Sequence, residues 1–293
     1  MRPRPDFLIA GASKSGSTWL SGCLQDHPEV YIPYGPTIDF FGRFYDKGLE
    51  WYEAHFRKHG GQKVIGEKST SYIIDDDVPE RIHAWNPDVR LVFVLREPVE
   101  RAYSDYTMHW RGGRVGGDVD EVLTPDSIQI REGFYHSNLS RFLAYFSKEQ
   151  VHIQLYDDLR ADPDQFLAEI CIFLGIDSTY KPPSMTGKAH VRKGQPRSRL
   201  LFKWRVASQR WIAQRSETAA HVFRRVQRSK FLNTTRLLNR KPVFPIWSDE
   251  CKRRIAELYQ PDVEKLSKML GRDLSHWLAP YLEPTKSENP PVH

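Results

Sequence analysis

The sequence has few cysteines, and their number and spacing limit the class of protein. Of its 293 residues only three are cysteine: Cys23, Cys171 and Cys251. The number is odd and the three lie far apart, so the sequence implies neither a disulfide framework nor the closely spaced pair of a CxxC metal site. We therefore expect reduced thiols that are buried or inert.

The sequence also lacks a long hydrophobic run. No stretch approaches the roughly 18 consecutive apolar residues that a membrane-spanning helix requires. The opening segment Met1–Asp6 leads almost directly into an apolar strand, without the apolar stretch of a signal peptide. We therefore expect a cytoplasmic protein without a transmembrane segment.

Positive charge is concentrated in one segment. Residues Arg192–Lys241 contain fifteen lysines and arginines and one glutamate, a net charge of +14, whereas the rest of the chain carries −8. Three interpretations of this basic segment remain open: a helical cap with solvated arginines, a surface for an anionic saccharide or lipid, and a nucleic-acid surface. The first two are compatible and include peripheral contact with an anionic surface, whereas nucleic acid is the least favoured partner.

Short apolar runs alternate with helical patterns in the first half of the chain, as in βαβ units around a parallel sheet. The predicted strands are Phe7–Ala10, Lys63–Gly66, Leu91–Leu95 and Val151–Leu155. The predicted helices are Thr18–Gln25, Val78–Trp85, Val99–Trp110, Asn138–Phe146 and Pro163–Leu174. The pattern predicts the α/β class, with three layers (α/β/α) around a central, mainly parallel sheet.

A helical part follows this sheet in the sequence. Arg199–Leu238 has an interrupted helical pattern, and Ser248–Leu270 has the pattern of an amphipathic helix. The tail of residues 283–293 is rich in proline and polar residues, which predicts disorder. We therefore predict a single domain over residues 1–282.

The segment FLIAGASKSGSTWL, residues 7–20, predicts a strand, a loop of small residues and the start of a helix. Such a loop directs backbone N–H groups and a helix dipole toward one point, which suits a phosphate. The spacing nearly matches the nucleoside-triphosphate motif GxxxxGK[ST], which makes the predicted fold P-loop-like. However, Ser17 replaces the expected lysine, and Lys14 lies inside the loop instead. The alternative is a merely structural Gly/Ser turn.

A second motif, LVFVLREPVERAYSDY, lies at the end of the third predicted strand. A magnesium-dependent triphosphate enzyme needs an aspartate after such a strand, but this chain has Arg96. Arg96 and Ser104, about two helical turns apart, could bind a second phosphate. In the alternative interpretation, Arg96 pairs with Glu97 or Glu100. Two anion sites without a magnesium carboxylate fit a nucleotide with phosphates at its 5′ and 3′ ends, and no metal is expected.

At this point the chain resembles the sulfotransferase family that uses 3′-phosphoadenosine-5′-phosphosulfate (PAPS), especially its carbohydrate-modifying, heparan-sulfate-like and bacterial branches. The resemblance rests on three motifs: KSGSTWL, LREPVERAYSDY and GEKSTSY. It implies transfer of a sulfonate group from PAPS to an acceptor hydroxyl or amine, with PAP as the product.

The resemblance also implies roles for individual residues. The expected nucleotide-binding residues are Lys14, Ser15, Gly16, Ser17, Thr18, Trp19, Arg96, Ser104, Arg192, Lys193 and Gly194. Glu67 is expected to be the general base, and Lys14 to stabilise the leaving phosphate. Lys68 is expected to orient Glu67 or contact the acceptor. The alternatives are His109 as the base, or a structural Glu67–Lys68 ion pair, while Trp19 fits core packing equally well.

Two other functions are kept as alternatives. A nucleotide kinase or triphosphatase is disfavoured by the missing lysine and the missing strand-end aspartate. A non-catalytic protein that binds an anionic membrane or nucleic acid is favoured only by the basic segment. Within the sulfotransferase interpretation, a carbohydrate or glycolipid acceptor is favoured, and a small alcohol, phenol or amine remains open.

Overall fold

The sheet is parallel throughout in the computed structural model, which describes residues 4–35, 37–112, 114–186 and 245–283. Its strands are β1 (Phe7–Gly11), β2 (Val30–Tyr31), β3 (Val64–Lys68), β4 (Arg90–Leu95) and β5 (Val151–Leu155). They follow the order β2-β3-β1-β4-β5, and each neighbouring pair is parallel. The strand that precedes the small-residue loop is therefore the central one.

Parallel neighbours require crossover connections, and helices supply most of them. In the described ranges the α-helices are α1 (Ser17–Asp26), α2 (Leu49–Ala54), α3 (Val78–Trp85), α4 (Pro98–Arg111), α5 (Val119–Val122), α6 (Ile128–Arg131), α7 (Tyr135–Leu143), α8 (Tyr156–Ala161), α9 (Pro163–Leu174), α10 (Asp249–Leu270) and α11 (Ser275–Leu282). Short 3₁₀ helices cover Tyr45–Lys47, Thr70–Ile74, Lys148–Gln150 and Pro183–Thr186.

Both faces of the sheet are buried. In β1, Leu8 and Ala10 belong to one hydrophobic core, while Phe7 and Ile9 belong to a second core on the opposite face. All five residues of β1 are buried, as expected for a central parallel strand covered on both sides. The predicted three-layer α/β/α arrangement is confirmed.

The helical part after the sheet packs against the first core and is hydrogen-bonded to α8, which directly follows β5. The indole Nε1 of Trp277 donates a hydrogen bond to Asp157 Oδ2 at 2.7 Å. Arg272 forms two hydrogen bonds to Asp158, at 2.6 and 2.8 Å. The predicted C-terminal helical part is therefore present.

Most predicted elements are found, with shifted ends. The helices α3 and α9 and the strand β5 have the predicted bounds, whereas β3 continues to Lys68 and α7 begins at Tyr135. The two-residue strand β2 was not predicted, because two residues are too few to show alternation. Residues 187–244, which include the whole of the helix predicted for the basic segment, lie outside the described ranges. No helix within those ranges is long and apolar enough to cross a bilayer.

Candidate active site

The candidate site lies at the carboxyl end of the central strand. Strand β1 pairs with β3 on one side and β4 on the other, so the chain leaves β1 between two parallel neighbours. In open α/β sheets, crevices at the carboxyl ends of such strands are the usual ligand sites. The β1–α1 loop, residues 12–16, occupies this place.

The β1–α1 loop has a backbone that only certain residues adopt. Lys14 has φ 69° and Gly16 has φ 100°, both in the left-handed region. A Cβ atom at Gly16 would also lie 2.8 Å from Leu159 Cδ2. A larger residue would therefore be strained both by the positive φ and by this contact. Ser15 is fully buried, and its hydroxyl has no hydrogen-bond partner among the described residues. A buried polar group of this kind fits an anion that is bound during function.

Two residues from other segments, Glu132 and Thr70, contact Ser13 at the start of this loop. The backbone N–H of Ser13 donates to Glu132 Oε1 at 2.5 Å, and the Ser13 hydroxyl lies 3.1 Å from Thr70 Oγ1. Glu132 is itself paired with the fully buried Arg101 at 3.0 Å. Burial raises the pKa of Glu132, and the Arg101 guanidinium opposes this rise. The sequence motifs did not point to this ion pair.

Arg96 contacts the loop from the neighbouring strand. It follows β4 directly, and its Nη1 donates to the Lys14 carbonyl oxygen at 3.4 Å. Its guanidinium also lies 3.4 Å from Glu100 and packs over the Tyr156 ring at 5.3 Å. The two expected anion-binding residues, Arg96 and Lys14, are therefore adjacent, although Arg96 also makes the contact with Glu100 that the alternative interpretation proposed.

Helix α4 borders the same region. The ammonium group of Lys14 lies 3.6 Å from Met108 Sδ on this helix. Ser104, the other residue expected at the 3′-phosphate, is half-buried about two turns into α4. His109, near the end of α4, lies 3.6 Å from Asp105.

The residues at the start of α1 differ in exposure. Ser17 is buried, Thr18 is exposed and Trp19 is half-buried. The Trp19 ring makes an edge contact with Phe166 of α9, with 6.0 Å between ring centroids. Trp19 therefore has a packing role against α9, and its contact with a nucleotide stays a prediction.

Glu67 lies inside strand β3, rather than just after it as the sequence predicted. It is 1% exposed, and three hydroxyl groups donate to its carboxylate: Tyr52 at 2.5 Å, Tyr72 at 2.8 Å, and Ser69. Burial raises the pKa of Glu67, and the three hydrogen bonds partly oppose this. Lys68 ends the strand and is half-buried. The catalytic role of both residues stays a prediction.

Three of the expected binding residues lie outside the described part of the chain. Arg192, Lys193 and Gly194 lie in residues 187–244, outside the described ranges, as does the basic segment. Within the described part of the chain, no group of three or more histidine, cysteine, aspartate or glutamate residues is arranged to hold a metal ion.

Comparison with known proteins gives a consistent assignment. A family model described as "Sulfotransferase domain" matches residues 4–233. The chain is 32% identical over 186 residues to heparan sulfate glucosamine 3-O-sulfotransferase 6 of Mus musculus, which covers 59% of this chain and 52% of that protein. It is 34% identical over 174 residues to heparan sulfate glucosamine 3-O-sulfotransferase 5 of Mus musculus, covering 54% and 50%. The chain thus spans about half the length of these relatives.

Solved structures share the fold. A sulfotransferase from Alicyclobacillus acidocaldarius superposes with a TM-score of 0.67 and 22% sequence identity, covering 94% of this chain and 99% of that chain. At this identity the likeness concerns the fold alone. It agrees with the parallel sheet and helical layers described above.

Proposed function

Because this chain belongs to the sulfotransferase domain family, we propose that it transfers a sulfonate group from PAPS to a hydroxyl or amine of a carbohydrate acceptor. The observation that carries the proposal is the contact at the carboxyl edge of β1 and β4, where Arg96 Nη1 donates to the carbonyl oxygen of Lys14. The family and the enzyme class expected from the motifs, a sulfotransferase, are confirmed by the family match.

The residues at the β1–α1 loop fit the 5′ end of PAPS. Lys14 supplies a positive charge, Ser15 a buried hydroxyl, and the first turn of α1 supplies backbone N–H groups and a helix dipole. When bound, PAPS supplies the sulfonate group and a bisphosphate leaving group. Lys14 stabilises the negative charge that develops on the phosphate as the sulfonate leaves. Arg96 and Ser104 are assigned to the 3′-phosphate.

A carbohydrate is the acceptor class with the best support. Two of the relatives are named as acting on the glucosamine of heparan sulfate. We therefore propose a sugar hydroxyl or amine, with a glycolipid as the closest variant. The acceptor proton must leave during transfer, because a neutral hydroxyl is a poor nucleophile. Glu67, oriented by Lys68, and His109 are the bases that the sequence suggested.

Binding of adenosine 3′,5′-bisphosphate, the product PAP, tests the donor site directly. Calorimetry on the wild type should give a saturable isotherm in buffer containing a metal chelator. Lys14→Met and Arg96→Met should each weaken binding by about 10- to 100-fold, because each removes a charge-assisted contact to a phosphate.

Arg57→Met is the matched control. Arg57 is exposed, and its guanidinium lies 3.8 Å from Glu50, so its loss should leave the dissociation constant within about twofold. Sulfonate transfer from radiolabelled PAPS to heparan sulfate and glucosamine oligosaccharides completes the test. A wild-type protein that neither binds the bisphosphate nor transfers sulfonate would contradict the proposed function. Magnesium-dependent turnover of ATP would instead support the kinase alternative.

A further inference from the structure

A cavity of about 530 Å³ is lined by residues from the segments 39–43, 71–77 and 128–131. Its lining includes Asp39, Ser71 and Arg131. Ser71 directly follows Thr70, and Arg131 directly precedes Glu132. Thr70 and Glu132 are the two residues that hold Ser13 in the loop. Two lining residues thus directly neighbour, in the sequence, the two residues that hold Ser13 in the loop.

Three consecutive hydroxyl side chains connect Asp39 to the loop. The backbone N–H of Asp39 donates to Ser69 Oγ at 3.0 Å, and Ser71 Oγ donates to Asp39 Oδ1 at 2.7 Å. Thr70, between these serines, contacts the Ser13 hydroxyl at 3.1 Å. The position of the Asp39 carboxylate is thus set by the same short segment that borders the loop.

The backbone of Asp39 is unusual. Its φ of 54° lies in the left-handed region, which glycine, asparagine and aspartate adopt more readily than other residues. The two following residues, Phe40 and Phe41, are buried in the core and anchor the chain on that side. Such conformations persist where the surroundings over-determine them, and they concentrate at functional sites. Four carboxylates line the cavity, those of Asp39, Asp75, Asp76 and Asp77. Asp39 is the one whose hydrogen bonds to Ser69 and Ser71 join it to the segment that contacts Ser13.

The Glu67 carboxylate, in contrast to that of Asp39, does not line the cavity. Its carboxylate is 1% exposed and already accepts hydrogen bonds from Tyr52, Tyr72 and Ser69. An acceptor hydroxyl would have to displace one of these donors to reach it. Through Ser69, however, Glu67 is linked to Asp39, because the same serine hydroxyl donates to Glu67 and accepts from the Asp39 backbone.

We propose that Asp39 is the catalytic residue that takes the acceptor proton, and that Glu67 is a positioning residue that acts through Ser69; this rests on the proposed function. In the step, the acceptor oxygen or nitrogen attacks sulfur and forms a new bond to it. The bond from sulfur to the bridging phosphate oxygen breaks, and its electron pair leaves with the bisphosphate. The acceptor proton moves to an Asp39 carboxylate oxygen, so that charge and atoms balance.

The test compares Asp39→Asn, Glu67→Gln and the double variant. Asparagine keeps the shape of the side chain and tolerates positive φ, so the fold should survive. Asp39→Asn should lower kcat for transfer to heparan sulfate or glucosamine oligosaccharides by about 100- to 10,000-fold, the usual contribution of a general base. Its dissociation constant for the bisphosphate should stay within about twofold of the wild type.

Double-variant kinetics separate the two roles. If Glu67 acts through Asp39, Glu67→Gln should lower kcat less than Asp39→Asn and add little to it in the double variant. Ser69→Ala, which breaks the link and keeps Glu67, should resemble Glu67→Gln and serves if that variant folds poorly. Asp88→Asn is the control, because Asp88 is exposed just before β4, at the opposite edge of the sheet.

Two results would overturn the inference. In the first, the wild type transfers sulfonate and the Asp39→Asn variant has the same kcat as the wild type. The other is a double variant whose fold-loss of kcat equals the product of the losses in Asp39→Asn and Glu67→Gln. That result would show that the two residues act independently. A wild type without bisphosphate binding or transfer overturns the proposed function first, and the role of Asp39 with it.

Discussion

Gly66 is required by a close approach between two strands. It pairs with Phe7 of the central strand, and a Cβ atom added at Gly66 would lie 2.1 Å from Phe7 Cζ. Because the clash is with a fully buried ring in a packed core, Gly66→Ala should lower the free energy of unfolding by about 1 to 3 kcal/mol. Urea unfolding of the wild type and the variant measures this change.

Gly116→Ala is the matched substitution. Among the described residues other than its two chain neighbours, none has an atom within 4 Å of a Cβ built at Gly116. The free energy of unfolding should therefore change by no more than about 0.5 kcal/mol. Phe7→Leu combined with Gly66→Ala should recover part of the loss, since leucine leaves more room. An unchanged urea midpoint for Gly66→Ala alone would show that the strands do not meet in this register.

The sequence located the β1–α1 loop and Arg96 but placed Glu67 wrongly with respect to β3. Glutamate is seldom fully buried, so a sequence pattern ends the strand before it. Three hydroxyl donors overcome this preference, and Tyr52 among them comes from a segment outside any motif. The role of Asp39 was missed for a related reason. Its conformation and cavity position depend on Ser69 and Ser71, which are about 30 residues away in sequence.

Helix α4 begins with a cap that is sensitive to pH. The Glu97 carboxylate accepts hydrogen bonds from the backbone N–H groups of Val99 and Glu100, at 2.6 and 2.7 Å. Burial raises the pKa of Glu97 to about 7, partly opposed by these bonds. Between the unfolded pKa of about 4.3 and the folded pKa of about 7, Glu97 is therefore protonated in the folded state and ionised in the unfolded chain. The stability contributed by Glu97 is fully present below the unfolded pKa of about 4.3 and is lost as pH rises through about 7.

Glu97→Gln should remove this dependence. Between pH 5 and pH 8, the variant should gain about 1 to 3 kcal/mol of unfolding free energy relative to the wild type, as measured by urea unfolding at both pH values. Glu80→Gln, an exposed change in the first turn of α3, should follow the wild type at both. Parallel behaviour of Glu97→Gln and the wild type would show that Glu97 is charged throughout this range.

Element boundaries depend on contacts that sequence patterns do not contain. Helix α7 begins three residues earlier than the sequence predicted, because Asp262 of α10 accepts hydrogen bonds from the backbone N–H groups of His136 and Ser137. This cap comes from more than 120 residues away, so no local capping signal marks the helix start. In contrast, α3 and α9 carry proline in their first turn, and their bounds were predicted correctly.

At the scale of the whole molecule, the three thiols report on both cores. Cys23 and Cys171 lie in the core on one face of the sheet, and Cys251 lies in the other. Burial raises the pKa of Cys23 to about 12, and the pKa values of Cys171 and Cys251 to about 11. At pH 8 the native protein should react with Ellman's reagent roughly 100-fold more slowly than the protein in guanidinium chloride.

Mass spectrometry of partly labelled protein shows which layer opens first. Equal rates at Cys23 and Cys171 would indicate that their shared core opens as one unit. Rapid labelling of any one thiol under native conditions would contradict its burial. Full reaction of all three in denaturant is the control that each thiol is reduced.

The overall architecture was predictable because it follows from a repeated pattern. Apolar strands that alternate with helical segments specify parallel βαβ units, whatever the loops between them contain. The walls of the site were not predictable in this way. Ser13 is held by Thr70 and by Glu132, which are 57 and 119 residues away, and only the folded sheet brings them together.

The central place of β1 has a consequence for biosynthesis. Ribosomes make β1 before either neighbour, and Phe7 of this strand pairs with Gly66 on one side and Arg90 on the other. The nascent chain must therefore keep a fully apolar strand unpaired until both partners have left the exit tunnel. During that interval the strand is a target for chaperones and for aggregation. A mutation that slows docking of β4 would thus reduce the yield of folded protein without altering any residue of the candidate site.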